Sequence, residues 1–219
     1  MKVKLINYSQ SPDGKNLLEQ VAYAARVSNP SNQDNSETAE KLVRYLIKHQ
    51  HWSPLEMVSV CMEIETTRDI ARQILRHRSF SFQEFSQRYA VADLGWEYKE
   101  ARLQDTKNRQ NSVSLNMDEE QQRLLSYEWE RAQKRVLFAV QKEYKWAIEN
   151  GIAKEQARAV LPEGITVSRM YMNGTLRSWV HYISLRSANG TQKEHQEIAL
   201  ACADALEPIF PMIKEYVNV

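Results

Sequence analysis

The chain has 219 residues, 42% of them hydrophobic, which is enough to enclose a packed core. Its 29 Lys and Arg nearly cancel its 28 Asp and Glu; a formal charge of +1 excludes a general polyanion binder, whose affinity rests on excess positive charge. Two isolated cysteines, Cys61 and Cys202, exclude a disulfide framework and a structural zinc site and fit a reducing, cytoplasmic setting, and no apolar run approaches the ~18 residues of a membrane span.

KVKLINY, at the N-terminus, alternates like a strand rather than reading as a signal peptide, and KNLLEQVAYAARVS places apolar residues at helical spacing. After the loop NPSNQDNS, Ser36 is expected to cap a helix running through Gln50, with Leu42, Val43, Leu46 and Ile47 inward. In HWSPLE, Ser53, Pro54 and Glu56 read as a helix start with a capping-box glutamate. VSVCMEIE then alternates as a half-buried strand. TRDIARQILRHR is helical, and Arg68, Arg72 and Arg76 recur every four residues, so they should share a face. RHRSFSFQEFSQRY, residues 76–89, leaves that helix as an extended segment. Residues 90–116 are polar and aperiodic, as in a functional loop or mobile excursion.

A long helix is predicted from Asp118 to Asn150, closed by Gly151. KEQARAVLP reads as a short helix stopped by Pro162, ITVSRMYM as a strand, and TLRSWVHYISLRS and QKEHQEIALACADALEPIF as two further helices. The expected fold is α+β: one helix-rich domain over residues 1–219 with a small antiparallel or mixed sheet.

Chemistry concentrates at 76–89, where arginines alternate with serines, phenylalanines, an amide and one carboxylate, Glu84. The phenylalanines serve as core anchors. Guanidinia, hydroxyls and an amide together suit a small phosphorylated, hydrogen-bonding heterocycle, because arginine binds phosphate in bidentate fashion and stacks on planar rings. Glu84 would repel a phosphate and is expected to face a sugar hydroxyl or a ring N–H. The competing reading, a module stacking single-stranded nucleic acid on these aromatics, is opposed by the near-zero charge and by the dispersal of the arginines over three blocks. A second cluster lies downstream, with Arg158 before AVLP and Arg177 and Arg186 in one helix.

RHR at 76–78, seven residues, then Ser86-Gln87-Arg88 resembles the RHR-x7-S-x-R signature of the flavin-dependent thymidylate synthases. HWSPLE, ARAVLP and NGTLRSWVHYISLR extend the resemblance, in the family's order, over most of the chain. The resemblance implies that family's fold, FAD as cofactor, and reductive methylation of dUMP to dTMP with methylenetetrahydrofolate as carbon donor and NADPH as reductant. It also implies a homotetramer with its sites at subunit interfaces, and no nucleic-acid or membrane partner. Position by position, it assigns Ser53, Glu56, Arg76, His77, Arg78, Glu84, Arg177, His181 and Leu185 to FAD. To dUMP it assigns Gln73, Arg76, Glu84, Ser86, Gln87, Arg88, Arg158 and Arg186. Within these sets Arg88 and Arg158 would clamp the phosphate, which is close to dianionic at neutral pH. Arg186 would be catalytic, favouring ionisation at N3 of the uracil.

No cysteine nucleophile is needed in that family, and Cys61 and Cys202 are both expected in the core. Ser86 has no adjacent base of the triad kind and is assigned to binding. Two departures stand out: Gln87 occupies a position where a small residue is frequent, and Gly190 one where many members carry a flavin-contacting histidine. His195 is expected on a helix surface, and His51 near the flavin or folate. The five histidines lack ligand spacing, so no metal site is expected.

Overall fold

A computed structural model describes residues 1–218. Six strands form, β1 (Lys2–Tyr8), β2 (Ser59–Thr67), β3 (Phe80–Glu84), β4 (Leu103–Gln104), β5 (Ser112–Val113) and β6 (Val167–Thr175). Four of them make an antiparallel sheet in the order β1-β2-β6-β3, and β4 pairs with β5 in a separate hairpin. The period-2 pattern decides which side is core. Val60, Met62 and Ile64 of β2 and Met170 and Met172 of β6 are fully buried on one face. On the other face Glu65 lies directly opposite Arg169 and pairs with it.

The helices are α1 (Leu17–Ala25), α2 (Ala39–Lys48), α3 (Arg68–Ile74), α4 (Glu119–Glu149), α5 (Lys154–Ala157), α6 (Leu176–Arg186) and α7 (Lys193–Leu206). The apolar sheet face meets Val21 of α1, Ile70 and Ile74 of α3, Trp179 and Ile183 of α6, and Ile198 and Leu206 of α7. Each such side chain contributes about 1.5–3 kcal/mol by leaving water. Tyr144 and Ala147 of α4 pack separately with Ala157 and Leu161. The α+β expectation holds, with the sheet wholly antiparallel. The long helix starts at the Asp118 cap, whose carboxylate accepts from the Gln121 N–H at 3.0 Å, and ends before Gly151 at φ 74°.

Several boundaries differ from the sequence reading. Thr38, not Ser36, precedes α2, because the Arg26 guanidinium holds Thr38 Oγ1 at 2.7 Å and also takes the Asn35 carbonyl, fixing the loop. Ser53–Glu56 is a single 3-10 turn without a side-chain cap, and the Glu56 carboxylate instead pairs with Arg177. The third helix stops at Ile74, so Arg76 leaves the face shared by Arg68 and Arg72. Ties to α6 bend the chain there: Ser178 Oγ donates to the Ser79 carbonyl at 3.1 Å, and Arg186 binds the His77 ring. Cys202 is fully buried, but Cys61 belongs to the half-buried outward face of β2 rather than to the core. Burial raises both thiols above the ordinary range, which disfavours the thiolate.

Candidate active site

The segment 76–89 is a ribbon whose middle, β3, is an edge strand paired only with β6. Phe80 anchors it. The ring lies over Gly174, where a Cβ would come within 2.4 Å of it, and meets Trp179 edge-on at 4.9 Å between centroids. Arg76 and Arg78 precede this anchor, both exposed, and among the described residues neither guanidinium has a carboxylate partner. His77 turns inward between them, its ring 5.0 Å from that of Tyr182.

Arg186 ends α6 and donates from Nε to His77 Nε2 at 2.9 Å. A guanidinium cannot accept, so His77 Nε2 carries a lone pair and the ring proton sits on Nδ1. Burial first, and the Arg186 charge second, push the His77 pKa down to about 4. One turn apart along the open side of α6 stand Arg177, His181 and Leu185. His181 packs against Trp52 at 4.3 Å between centroids with the rings tilted by 51°, and Leu185 is 57% exposed despite its apolar side chain. Burial and Arg177 hold His181 below the ordinary histidine range. Ser53 and Glu56 adjoin this face, Glu56 through its pair with Arg177. The residues assigned to FAD, Glu84 apart, thus gather around α6 and the start of the ribbon.

The residues assigned to the nucleotide phosphate also converge. Arg88 Nε lies 3.3 Å from the Glu155 carboxylate, and Arg158 Nε donates to the Glu155 carbonyl at 3.2 Å, so α5 brings the two guanidinia to one residue. Ser86 is half-buried; Gln87 is buried, and its Nε2 has no hydrogen-bond partner among the described residues. Glu84 is not a free carboxylate. Ser168 Oγ donates to it at 2.9 Å, and Arg68 and Arg72 approach at 3.5 and 3.4 Å, both arginines also reaching Glu163. Its charge is therefore balanced inside the protein. A cavity of about 400 Å³ opens beside it, lined in part by Glu84, Ser86, Tyr89 and Tyr171.

Sequence reasoning missed a buried polar chain behind Gln73. His195, expected on a helix surface, is 0% exposed. Its Nε2 lies 3.2 Å from the Tyr182 hydroxyl and its Nδ1 3.3 Å from Gln73 Oε1. Gln73 Nε2 donates to Gln192 Oε1 at 2.7 Å, and Gln192 Nε2 donates to Glu194 Oε2 at 2.9 Å. Arg102, on the β4–β5 segment, closes the chain on the other oxygen of Glu194. The His195 pKa falls to about 3 through burial, Arg186 and His77. Burial alone would raise Glu194, yet the Arg102 and Gln192 contacts outweigh it and hold this carboxyl below its usual range. One signal was available in the sequence: His195 precedes Ile198, Ala199 and Cys202 at helical spacing, on the apolar stripe of α7. His51 packs against Tyr45 and His49, at 6.1 and 6.2 Å between ring centroids.

This pairing of an arginine-rich ribbon with an open, partly apolar helix face is the geometry of a nucleotide-handling enzyme. Residues 4–212 match the family described as thymidylate synthase complementing protein, and the chain belongs to that family. It is 47% identical over 216 residues to a probable flavin-dependent thymidylate synthase of Paramecium bursaria Chlorella virus 1, covering 97% of each chain. It is 48% identical over 203 residues to the flavin-dependent thymidylate synthase of Synechocystis sp., covering 93% of this chain and 88% of that one. Among solved structures, the UMP/dUMP methylase PolB from Streptomyces cacaoi, bound with 5-Br dUMP, superposes with a TM-score of 0.80 at 26% identity. That match covers 98% of this chain and 93% of the methylase.

Proposed function

We propose that the protein methylates dUMP reductively to dTMP, with methylenetetrahydrofolate as carbon donor, NADPH as reductant and FAD as cofactor. The observation that carries this reading is the convergence of the RHR-x7-S-x-R ribbon with Arg158 and α6 in a chain 47–48% identical to flavin-dependent thymidylate synthases. The residues present fit a flavin dinucleotide. Arg76 and Arg78 offer exposed guanidinia suited to a pyrophosphate, while the half-open apolar surface of Leu185 beside the His181–Trp52 pair suits a planar ring. Arg76, His77, Arg78, Arg177, His181, Leu185, Ser53 and Glu56 would hold it, and when bound it supplies the two-electron hydride chemistry that side chains lack.

The chain's own residues bind and polarise. Arg88 and Arg158 clamp the phosphate of dUMP, Arg88 exchanging the carboxylate of Glu155 for a dianion and Arg158 giving up the Glu155 carbonyl. Gln73, Ser86 and Gln87 provide hydrogen bonds to sugar and base, and Glu84, neutralised by Arg68 and Arg72, offers its remaining lone pairs without repelling the nucleotide. His77, neutral and accepting at Nε2, orients the positively charged guanidinium of Arg186. That charge favours loss of the proton at uracil N3, which makes C5 more nucleophilic. Assembly with further copies, as a homotetramer, is supported by α4, whose Leu124, Tyr127, Phe138 and Trp146 are 60%, 55%, 74% and 57% exposed. A cytoplasmic setting suits the two unpaired thiols.

The test is direct. Purified protein given FAD should show an oxidised-flavin spectrum that bleaches with NADPH when dUMP is present. With methylenetetrahydrofolate added it should release dTMP. A protein that stays colourless and forms no dTMP would sink the proposal.

A further inference from the structure

The polar chain behind Gln73 has one direction only. An ionised carboxylate accepts and never donates, so Glu194 obliges Gln192 to turn its amide NH2 toward Oε2. Gln192 Oε1 then faces Gln73, which must answer with Nε2 at 2.7 Å. That turn leaves Gln73 Oε1 for His195, so Nδ1 of His195 carries the ring proton across the 3.3 Å contact. His195 Nε2 is left as a lone pair, and the Tyr182 hydroxyl 3.2 Å away donates into it. Neither ring nitrogen has an alternative in solvent, because His195 is 0% exposed. Reversing any one link would set oxygen against oxygen, or N–H against N–H, in a buried place.

We propose that Glu194 and His195 are positioning residues for the nucleotide: from opposite sides they fix which way the Gln73 amide faces, through Gln192 on one side and directly on the other. The inference rests on the reading of Gln73 as a dUMP contact. It adds that the amide presents one free N–H and one free lone pair in a set order, matching one arrangement of donor and acceptor on the base or sugar. Arg102 extends the control to the 90–116 segment, because its guanidinium holds the Glu194 carboxylate. The opposite face of the site obeys the same logic, with Arg186, a donor only, setting the tautomer of His77.

Two measurements on the full-length protein test this. In protein labelled with 15N-histidine, the imidazole shifts of His195, assigned by their loss in His195→Gln, should report the Nδ1–H tautomer alone. Finding Nε2–H would overturn the wiring with no variant needed. In Glu194→Gln, which keeps the shape but can donate as well as accept, His195 should show mixed tautomers. Its KM for dUMP should rise roughly tenfold while kcat at saturating dUMP stays within about twofold of wild type. Glu194→Asp, which keeps the acceptor-only charge, should recover most of the KM. An unchanged KM and tautomer in folded Glu194→Gln would overturn the proposal, as would equal losses in kcat, flavin content and KM, the pattern of a merely structural carboxylate. Wild type that forms no dTMP defeats the functional reading instead, and the tautomer measurement still decides the wiring.

Discussion

Gly174→Ala tests whether the ribbon is seated by Phe80. An ideal Cβ at position 174 would lie 2.4 Å from Phe80 Cδ1 and 2.6 Å from Cε1, against about 3.5–4.0 Å for carbon atoms at rest. The ring must therefore withdraw by roughly 1 Å. It cannot swing freely, because Trp179 stands 4.9 Å and Tyr182 5.9 Å away between centroids. Overpacking of this kind costs about 1–3 kcal/mol. At about 2–4 °C per kcal/mol for a chain of this size, melting should fall by about 2–12 °C. Because residue 80 pairs with residue 174 across β3 and β6, the strain also moves the ribbon, and dUMP should bind more weakly. Phe80→Leu in the same chain removes the colliding ring atoms, so the double variant should melt above the sum of the two single losses. A Gly174→Ala protein that melts with wild type, or a double variant that is strictly additive, would refute the reasoning.

Arg88→Ala should raise the dUMP concentration needed for half-maximal rate by roughly ten- to a hundredfold, the worth of a charge-assisted contact. Its melting temperature should barely move, since the Glu155 pair it loses is solvent-exposed; unchanged dUMP affinity would place the phosphate elsewhere. Arg186→Ala should still take up FAD, measured by absorbance, but lose most dTMP formation, and normal turnover would refute its role at N3. His77 and His195 resist protonation in the folded protein, with pKa values near 4 and 3, whereas unfolded imidazoles take protons near 6.5. Acid therefore favours the unfolded chain: stability is full above about pH 6.5 and declines as pH falls toward 4. Thermal melts of His195→Gln over that range should show a shallower decline than wild type, and equal slopes would contradict the assignment.

How legible the protein was depended on how local each signal is. β2 and β6 declare their faces by simple alternation, and Gly151 marks the end of α4 because a left-handed residue is needed there. The residues expected to meet the ligands stand out in the sequence because a long spaced signature ties them together. What failed were features set by distant partners. Glu56 has the spacing of a capping-box residue, yet Arg177, 121 positions away, claims it. Arg76 keeps the helical period of Arg68 and Arg72, yet contacts from α6 end the helix before it. The strands β4 and β5 have two residues each, too short for any period to appear. His195 could have been read from the stripe of α7, but the partners that make it more than a satisfied core histidine come from α3 and α6.

Burial and partner count sort the arginines more sharply than the motif does. Arg68, with a side chain 7% exposed, is shared by Glu84 and Glu163, and removing both carboxylates would strand a buried charge. It belongs to the framework, although its four-residue spacing aligned it with Arg72 and Arg76 on one face. Arg88 and Arg177 are 60% and 42% exposed in their side chains, each holding one half-exposed carboxylate in a pair worth little in water. Such a pair keeps the guanidinium extended, yet gives way to a dianion that offers more charge and bidentate geometry. Among the described residues, Arg76 and Arg78 have no carboxylate to release. On the proposed function, the three grades would suit three tasks: framing the nucleotide pocket, clamping a ligand by exchange, and meeting a cofactor's phosphates directly. Substitution of the exposed arginines is therefore expected to cost less stability than substitution of Arg68.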